Sequence, residues 1–363
     1  MRNAVIFGVT GQDGSYLSEL LLWKGYKVIG VARRSSVNNT ERLLNVLSND
    51  NFTLVQGDVT DMPSVTGIIS EYKPDECYNL AAQSHVGTSF QQPCYTLDVC
   101  AGGVLNILEA IRVCSPDTHF YQASTSEMFG NNFKRDVQGV DINTAYQDET
   151  VPLMPTSPYA IAKTAAHHLV SMYRNAYGIH ASAGILFNHE SERRGENFIT
   201  RKITKWIGEF VAWCNYFHID KSRLIPNENE IYTLNLKYHG KEHSFLKLRL
   251  GNIEAARDWG HAEDYVRMMW MMVNADEPGD YVVATGKVHT IREFLDLAFK
   301  LAHIDDWKNL VVIDPKFYRP SDVQYLCGYA AKAKKRLGWE PTVNFKDLVK
   351  RMVFSDIEHA KKI

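Results

Sequence analysis

Gly8-Val9-Thr10-Gly11-Gln12-Asp13-Gly14 is a G-x-x-G-x-x-G run set between two patterned segments. Before it, Ala4 to Phe7 is an unbroken apolar run of strand type. After it, Ser15 to Lys24 carries a helical stripe of Leu17, Leu20 and Leu21. A strand, a glycine turn and a helix in that order let backbone approach a pyrophosphate. The helix N-terminus then favours its negative charge. The spacing differs from G-x-G-x-x-G but serves the same mechanics. The competing explanation is a tight structural turn.

Outward from this turn, strand and helix patterns alternate. Gly25 stops the first helix and Lys27 to Ala32 reads as a second strand. Phe52 to Gln56 is a third and Glu76 to Leu80 a fourth. Val104 to Val113 is a helix and His119 to Ala123 a fifth strand. The alternation predicts an α/β chain with a Rossmann-like, doubly wound parallel sheet. Ligands of such sheets sit beyond the carboxyl ends of the strands, where strand order reverses. A smaller, mixed α/β substrate-binding domain is expected from the C-terminal half. The expected division is 1–187 with a returning segment near 257–286, against a discontinuous 188–256 and 287–363. Asn131 to Pro158 reads as a long polar loop, and Asp314 to Asp322 as turn-rich.

The end of the second strand separates two dinucleotides. An NAD enzyme usually places an acid there for the ribose 2′-hydroxyl. Here Arg33, Arg34, Ser35 and Ser36 follow Val31-Ala32 with no acid. Two guanidiniums and two hydroxyls suit a 2′-phosphate, so NADP is expected. A solvated basic loop is the plainer alternative. Asp58-Val59 is a candidate adenine contact. Leu80-Ala81-Ala82-Gln83-Ser84 is a candidate for the ribose and pyrophosphate side, or else a packed small-residue turn.

Ser157-Pro158-Tyr159 opens a further helix, with Ser157 a good N-cap and Pro158 a good first residue. Tyr159 and Lys163 are i, i+4 and share a face. A phenol near pKa ~10 is a poor base at neutral pH. A nearby ammonium and a nicotinamide cation lower it, which makes a phenolate base feasible. Alone, the pair fits an amphipathic surface equally well. Ser124-Thr125-Ser126-Glu127 admits two readings. As S-x-x-E it is a capping box. As an extended segment it points Thr125 and Glu127 to one side, a hydroxyl for a sugar oxygen and a carboxylate for a carbon-bound proton.

Composition excludes several classes. A formal net charge of -2 gives no bulk field for nucleic acid or anionic membrane. No apolar run approaches the ~20 residues that span a bilayer. A strand pattern begins at once, leaving no room for a signal peptide, so a cytoplasmic location is expected. The six cysteines show no zinc-type spacing and read as small buried hydrophobes. His167-His168 is adjacent rather than i, i+4, so no metal site is expected.

Taken together, Gly8 to Gly14, Ser124 to Glu127 and Tyr159 to Lys163 resemble the extended short-chain dehydrogenase/reductase superfamily. Longer blocks resemble its GDP-mannose 4,6-dehydratase family. These are Gly8 to Leu17, Arg33 to Ser36, Leu80 to His85, Gln122 to Glu127, Asn188 to Ser191, Thr200 to Ile203, Arg257 to Tyr265, Tyr318 to Pro320 and Leu337 to Trp339. The resemblance runs from near residue 3 to near residue 355. It implies a lyase that removes water from GDP-mannose by internal hydride transfer through bound NADP. The product is GDP-4-keto-6-deoxymannose, on the way to GDP-fucose and related deoxysugars. Tyr159 then takes the C4 hydroxyl proton, Thr125 bonds that oxygen, Glu127 removes the C5 proton, and Lys163 holds the nicotinamide ribose. By the same resemblance Ser84, Ser126, Asn188, Lys202, Arg257 and Arg319 face the GDP-sugar, and His189 and Arg194 the cofactor. It also implies a homo-oligomer, dimer or tetramer.

The chain departs from the family at several points. Glu192 stands where proline is usual, which predicts a looser loop and an acid beside Arg193 and Arg194. Glu254, Ala256 and Gly328-Tyr329-Ala330 vary other blocks. Residues near 131–147 look lengthened by about ten, and 206–247 by about thirty, which loops tolerate. Another nucleotide-sugar dehydratase or epimerase of the superfamily is the nearest alternative. An epimerase needs the tyrosine and lysine but not the acid at 127. A sensor binding NADP without turnover would need none of the catalytic set.

Overall fold

The computed structural model describes residues 1–37, 39–134, 145–220, 232–238, 241–318 and 323–361. In chain order, β1 (Asn3–Phe7), α1 (Gln12–Trp23), β2 (Lys27–Ala32), β3 (Phe52–Gln56), α2 (Met62–Tyr72) and β4 (Glu76–Asn79) come first. Short helices α3 (Val86–Ser89) and α4 (Pro93–Leu97) lead through a π-helical turn at Asp98–Gly102 into α5 (Gly103–Cys114). Then follow β5 (His119–Thr125), a 3-10 turn at Ser126–Phe129, α6 (Pro158–Tyr177) and β6 (Ala181–Leu186). The second part holds β7 (Asn188–Glu190), α7 (Ile199–Tyr216), β8 (Thr233–Tyr238), β9 (Lys241–Leu246), β10 (Leu248–Leu250) and β11 (Ala256–His261). After these come α8 (Ala262–Val273), β12 (Asp280–Val283), β13 (Val288–Thr290), α9 (Ile291–Leu301) and β14 (Val311–Ile313). The last are β15 (Tyr325–Leu326), α10 (Ala331–Leu337) and α11 (Phe345–Ala360).

Seven strands form one parallel sheet in the order β12-β6-β5-β4-β1-β2-β3. The expected Rossmann-like sheet is present, and its order reverses between β1 and β4. Alternation along each strand explains why both faces are covered. In β1, Val5 and Phe7 pack with Ile29, Val31, Val104, Ile107 and Phe120 on one side. Ala4 and Ile6 pack with Leu17, Leu21, Val28 and Tyr121 on the other. Each fully buried aliphatic or aromatic side chain of this kind contributes about 1.5–3 kcal/mol.

A second core lies over α7, α9 and α11, where Trp206, Phe210, Trp259, Phe294 and Phe299 are buried together. β11 runs parallel to β7 and β15 and antiparallel to β13, so this small sheet is mixed. β7 follows β6 directly, and the chain therefore crosses from the large sheet to the small one at the carboxyl end of β6.

Some elements differ from the sequence reading. α1 begins at Gln12 rather than Ser15, and β5 runs on to Thr125. α2 was not expected; its short apolar set of Val65, Ile68 and Ile69 has no long periodic run to announce it. Cys94 is exposed and Cys114 half-buried, so the cysteines are not uniformly interior. No helix among the described residues is long and apolar enough to cross a membrane.

The glycine turn is fixed by space as well as by dihedral freedom. Gly8 has φ +82°, and a Cβ there would lie 2.7 Å from the Ala81 nitrogen. A Cβ at Gly14 would lie 2.6 Å from the Gly8 carbonyl oxygen. Gly14→Ala should therefore cost about 1–3 kcal/mol by overpacking. Gly67, inside α2, meets nothing within 4 Å, and Gly67→Ala should gain about 0.5–1 kcal/mol. Urea denaturation of both variants checks the opposite signs.

Candidate active site

A cleft of about 870 Å³ opens over the carboxyl ends of β1, β4, β5 and β6. Gly8, Gly11, Gln12, Asp13 and Gly14 line one end. Thr125, Glu127, Tyr159 and Lys163 line the middle, and Lys202, Leu250 and Phe317 the far end. Most of the glycine turn and the Thr125, Glu127, Tyr159 and Lys163 set thus meet in one cavity.

At the glycine end, Gly11 caps α1 without a side-chain hydrogen bond, so the helix N-terminus faces the cleft through backbone. The Asp13 carboxylate accepts from His189 Nε2 at 2.7 Å, and His189 Nδ1 lies 2.8 Å from the Phe187 carbonyl. The imidazole also stacks on Tyr265 at 4.5 Å. Burial lowers the affinity of His189 for a second proton, but the Asp13 charge outweighs it and the pKa rises. Burial likewise opposes ionisation of Asp13, and His189 overturns that, leaving it below the ordinary value. Ser191 Oγ donates to Gln12 Oε1 at 2.8 Å, and Gln12 Nε2 donates to the His189 carbonyl at 3.2 Å. β7 is in this way latched to the start of α1.

In the middle, α6 carries Tyr159 and Lys163. Ser157 Oγ accepts from the Ala160 amide at 3.1 Å and Pro158 is the first helical residue, as the sequence implies. Lys163 Nζ lies 5.9 Å from the Tyr159 ring centre and donates to the Ala123 carbonyl at 2.9 Å. One turn on, His167 Nδ1 lies 3.0 Å from Ser124 Oγ, and its Nε2 lies 3.7 Å from Asp280. Burial raises the Tyr159 pKa, with Glu127 adding to it and Thr125 opposing. Burial lowers the Lys163 pKa. Lysine proximity alone therefore does not make a phenolate here.

The Ser124 to Glu127 stretch resolves its two readings in part. Thr125, not Ser124, is the capping side chain, accepting from the Glu127 amide at 3.3 Å. The chain is not extended through Glu127 but turns into the 3-10 helix at Ser126. Thr125, Ser126 and Glu127 nevertheless all line the cleft.

Leu80, Ala82 and Ser84 also line it, as do Asn188, His189, Arg194, Lys202 and Arg257. Thr10, Arg33, Arg34, Ser35, Asp58, Val59, Ala81 and Gln83 lie outside its lining. Arg33 and Arg34 are exposed past the end of β2, and Arg33 meets the Tyr95 hydroxyl. Asp58 Oδ1 accepts from the Thr60 amide and hydroxyl, and Val59 is buried in the core. Ala81 backs Gly8, and Gln83 holds the His85 amide at 2.8 Å. Arg319 lies outside the described residues. Sequence reasoning missed Thr88, Phe198 and Phe317, which line the cleft. Phe198 lies two residues before Thr200, at the edge of the Thr200 to Ile203 block, the one signal that pointed to it.

A profile described as "GDP-mannose 4,6 dehydratase" matches residues 5–213 and 228–352. The chain belongs to the GDP-mannose 4,6-dehydratase family. GDP-mannose 4,6 dehydratase 1 of Arabidopsis thaliana is 46% identical over 369 residues, covering 99% of this chain and 91% of that one. GDP-mannose 4,6 dehydratase of Homo sapiens is 42% identical over 381 residues, covering 98% and 91%. The fold is shared with UDP-glucose 4-epimerase of Thermotoga maritima with UDP-glucose, at TM-score 0.77 and 22% identity over 98% of this chain and 99% of that one. It is also shared with RMD of Pseudomonas aeruginosa complexed with NADPH, at TM-score 0.70 and 19% identity over 99% and 100%. The family profile leaves 214–227 unmatched, a narrower interruption than the sequence suggested.

Glu192 does not loosen its loop. Its carboxylate accepts from Tyr16 Oη at 3.0 Å and lies 3.3 Å from His261 Nε2. Arg193 turns instead to Glu19 at 2.8 Å and stacks on Tyr16, and Arg194 pairs with Glu190 at 3.0 Å. Burial pushes the Glu192 pKa up, but the His261 and Tyr16 bonds bring it down to about 2. A depressed acid stabilises fully above its unfolded pKa of about 4.5, and the gain is lost as pH falls toward 2. Glu192→Gln should cost about 1–3 kcal/mol at pH 7. Urea midpoints at pH 7 and pH 4 should show the gap from wild type narrowing at the lower pH.

Proposed function

We propose that the chain removes water from GDP-mannose to give GDP-4-keto-6-deoxymannose, with NADP as its resident cofactor. The observation carrying this reading is that Thr125, Glu127, Tyr159 and Lys163 share one cleft with the Gly8–Gly14 turn. The residues fit a dinucleotide: a Cβ-free turn, an open helix N-terminus, and two arginines in place of an acid after β2. The relatives named as GDP-mannose dehydratases and the fold neighbour complexed with NADPH support it.

Bound beside Tyr159, the oxidised cofactor supplies a hydride acceptor and a positive charge that favours the phenolate. Tyr159 takes the proton of the sugar C4 hydroxyl while C4 loses hydride, and Thr125 donates to or accepts from that oxygen. The 4-ketone acidifies C5. Glu127 removes the C5 proton and passes a proton to the departing C6 hydroxyl, which leaves as water. The borrowed hydride ends at C6 and C5 regains a proton, so no net oxidation occurs. Lys163, held by Ala123, keeps its ammonium near the phenolate. Glu127 in the cleft favours dehydration over epimerisation, which needs no such acid.

The sheet-based part, 1–187 with 257–286, would hold the cofactor, and 188–256 with 287–363 the nucleotide-sugar. Arg33, Arg34 and Ser35 would meet the 2′-phosphate, Asp58 and Val59 the adenine, and Asn188, Lys202, Arg257 and Arg319 the GDP-sugar. Exposed apolar side chains on α5 and α6, among them Leu105, Ile161 and Met172, suit assembly with further copies in the cytoplasm.

Glu127→Gln should cut water loss from GDP-mannose by about 100-fold or more, read by mass spectrometry of the product. Near-normal turnover would remove its acid–base role. Arg33→Ala should weaken NADP about tenfold more than NAD in calorimetric titration. Equal loss for both would remove the 2′-phosphate assignment.

A further inference from the structure

Beside Lys202 and Phe317 stands a cluster around Arg249 that no reading above has used. Arg249, in β10, donates through Nε to Asp314 Oδ2 at 2.8 Å and through Nη2 to the same oxygen. Its guanidinium lies over the Tyr232 ring at 4.4 Å and over the Phe317 ring at 5.6 Å. Lys202 Nζ donates to the Arg249 carbonyl at 2.7 Å and lies 4.0 Å over the other aromatic neighbour, Phe317. Lys202 and Phe317 both line the cleft.

Backbone bonds from three elements anchor the stack. Tyr232 just precedes the hairpin β8–β9, and its carbonyl accepts from the Lys247 amide at 2.9 Å. Trp206 Nε1 on α7 donates to the Leu246 carbonyl at 2.8 Å. β10 pairs in parallel with β14, and the Asp314 amide closes that pair on the Leu250 carbonyl at 2.7 Å. Asp314 then caps the turn that carries Phe317.

The charges have a direction. Lys202 and Arg249 repel, and burial with that repulsion lowers the Lys202 pKa. Asp314 offsets one cation, leaving a net positive end to the cleft. The reacting sugar sits at Tyr159, and the glycine turn takes the other end. With the sugar at Tyr159 and the cofactor at the glycine turn, Lys202 is the cation that faces the sugar's diphosphate.

We propose that Arg249, braced by Tyr232, is a positioning residue for the nucleoside diphosphate of the substrate. Its guanidinium holds the Phe317 wall in place and neutralises Asp314 so that this carboxylate does not repel the phosphates, beside the Lys202 ammonium that its backbone carbonyl orients. The proposal rests on the reading that a nucleoside-diphosphate sugar fills this cleft. Such a residue acts on ground-state binding, so its loss raises KM and leaves kcat.

The test measures GDP and NADP affinity by calorimetry, and KM and kcat with GDP-mannose, in four variants. Arg249→Ala should raise the GDP Kd and the GDP-mannose KM about tenfold, with kcat within about twofold and NADP affinity unchanged. Arg249→Lys should recover part of this. Tyr232→Ala should raise both constants about threefold, and Tyr232→Phe, which keeps the ring, should not. If Arg249→Ala fails to fold, Arg249→Lys and Tyr232→Ala carry the same comparison. An unchanged GDP Kd, a fall in kcat at constant KM, or an equal loss of NADP affinity overturns the proposal. A wild-type protein that binds GDP but releases no water from GDP-mannose overturns the functional reading instead, and the GDP arm still decides the clamp.

Discussion

The site depends on one buried ammonium. Lys163 is 3% exposed, and its bond to the Ala123 carbonyl ties α6 to the last turn of β5. α6 carries Tyr159; β5 and the turn after it carry Thr125 and Glu127. A charge so far from water is costly unless paired with dipoles or ligands. The bond that offsets this cost also fixes the distance between the phenol and the hydroxyl. His167, one turn further along α6, repeats the tie through Ser124. Two bonds from one helix face to consecutive residues of one strand leave the reacting groups little freedom.

Electrostatics around the cleft follow a division of labour. At the glycine end, Asp13 and His189 satisfy each other, which leaves the helix N-terminus to meet an anion without a competing carboxylate. At the centre, burial holds Tyr159 as a phenol and lowers the hold of Lys163 on its proton.

Glu192 shows how a departure from a family pattern can be absorbed. A proline would stiffen the loop through its fixed φ. Here a carboxylate does so through Tyr16 on α1 and His261 at the start of α8. The loop stays ordered between the two cores, and Arg194 beside it keeps its place on Phe198 and Glu190.

Local pattern was enough for the Gly8–Gly14 turn, the first five strands of the large sheet (β6 and β12 were not foreseen) and the Tyr159–Lys163 face, because each is a matter of periodicity or short spacing. The absence of an acid after β2 was equally plain. Other features were not legible. α2 is too short and sparse to announce itself. The Thr125 cap displaced a box expected from Ser124, since both patterns fit the same four residues. The resting charge of Tyr159 depends on burial, which spacing does not contain. Sequence alone determined the fold class, the glycine turn and the candidate catalytic groups. Only tertiary structure decided that groups from positions 13, 125, 163, 189 and 202 share one cavity, and that Arg249 lies against Lys202 and Phe317 behind its wall. Such contacts join residues tens to hundreds of positions apart, and their distances are set by how the two cores pack.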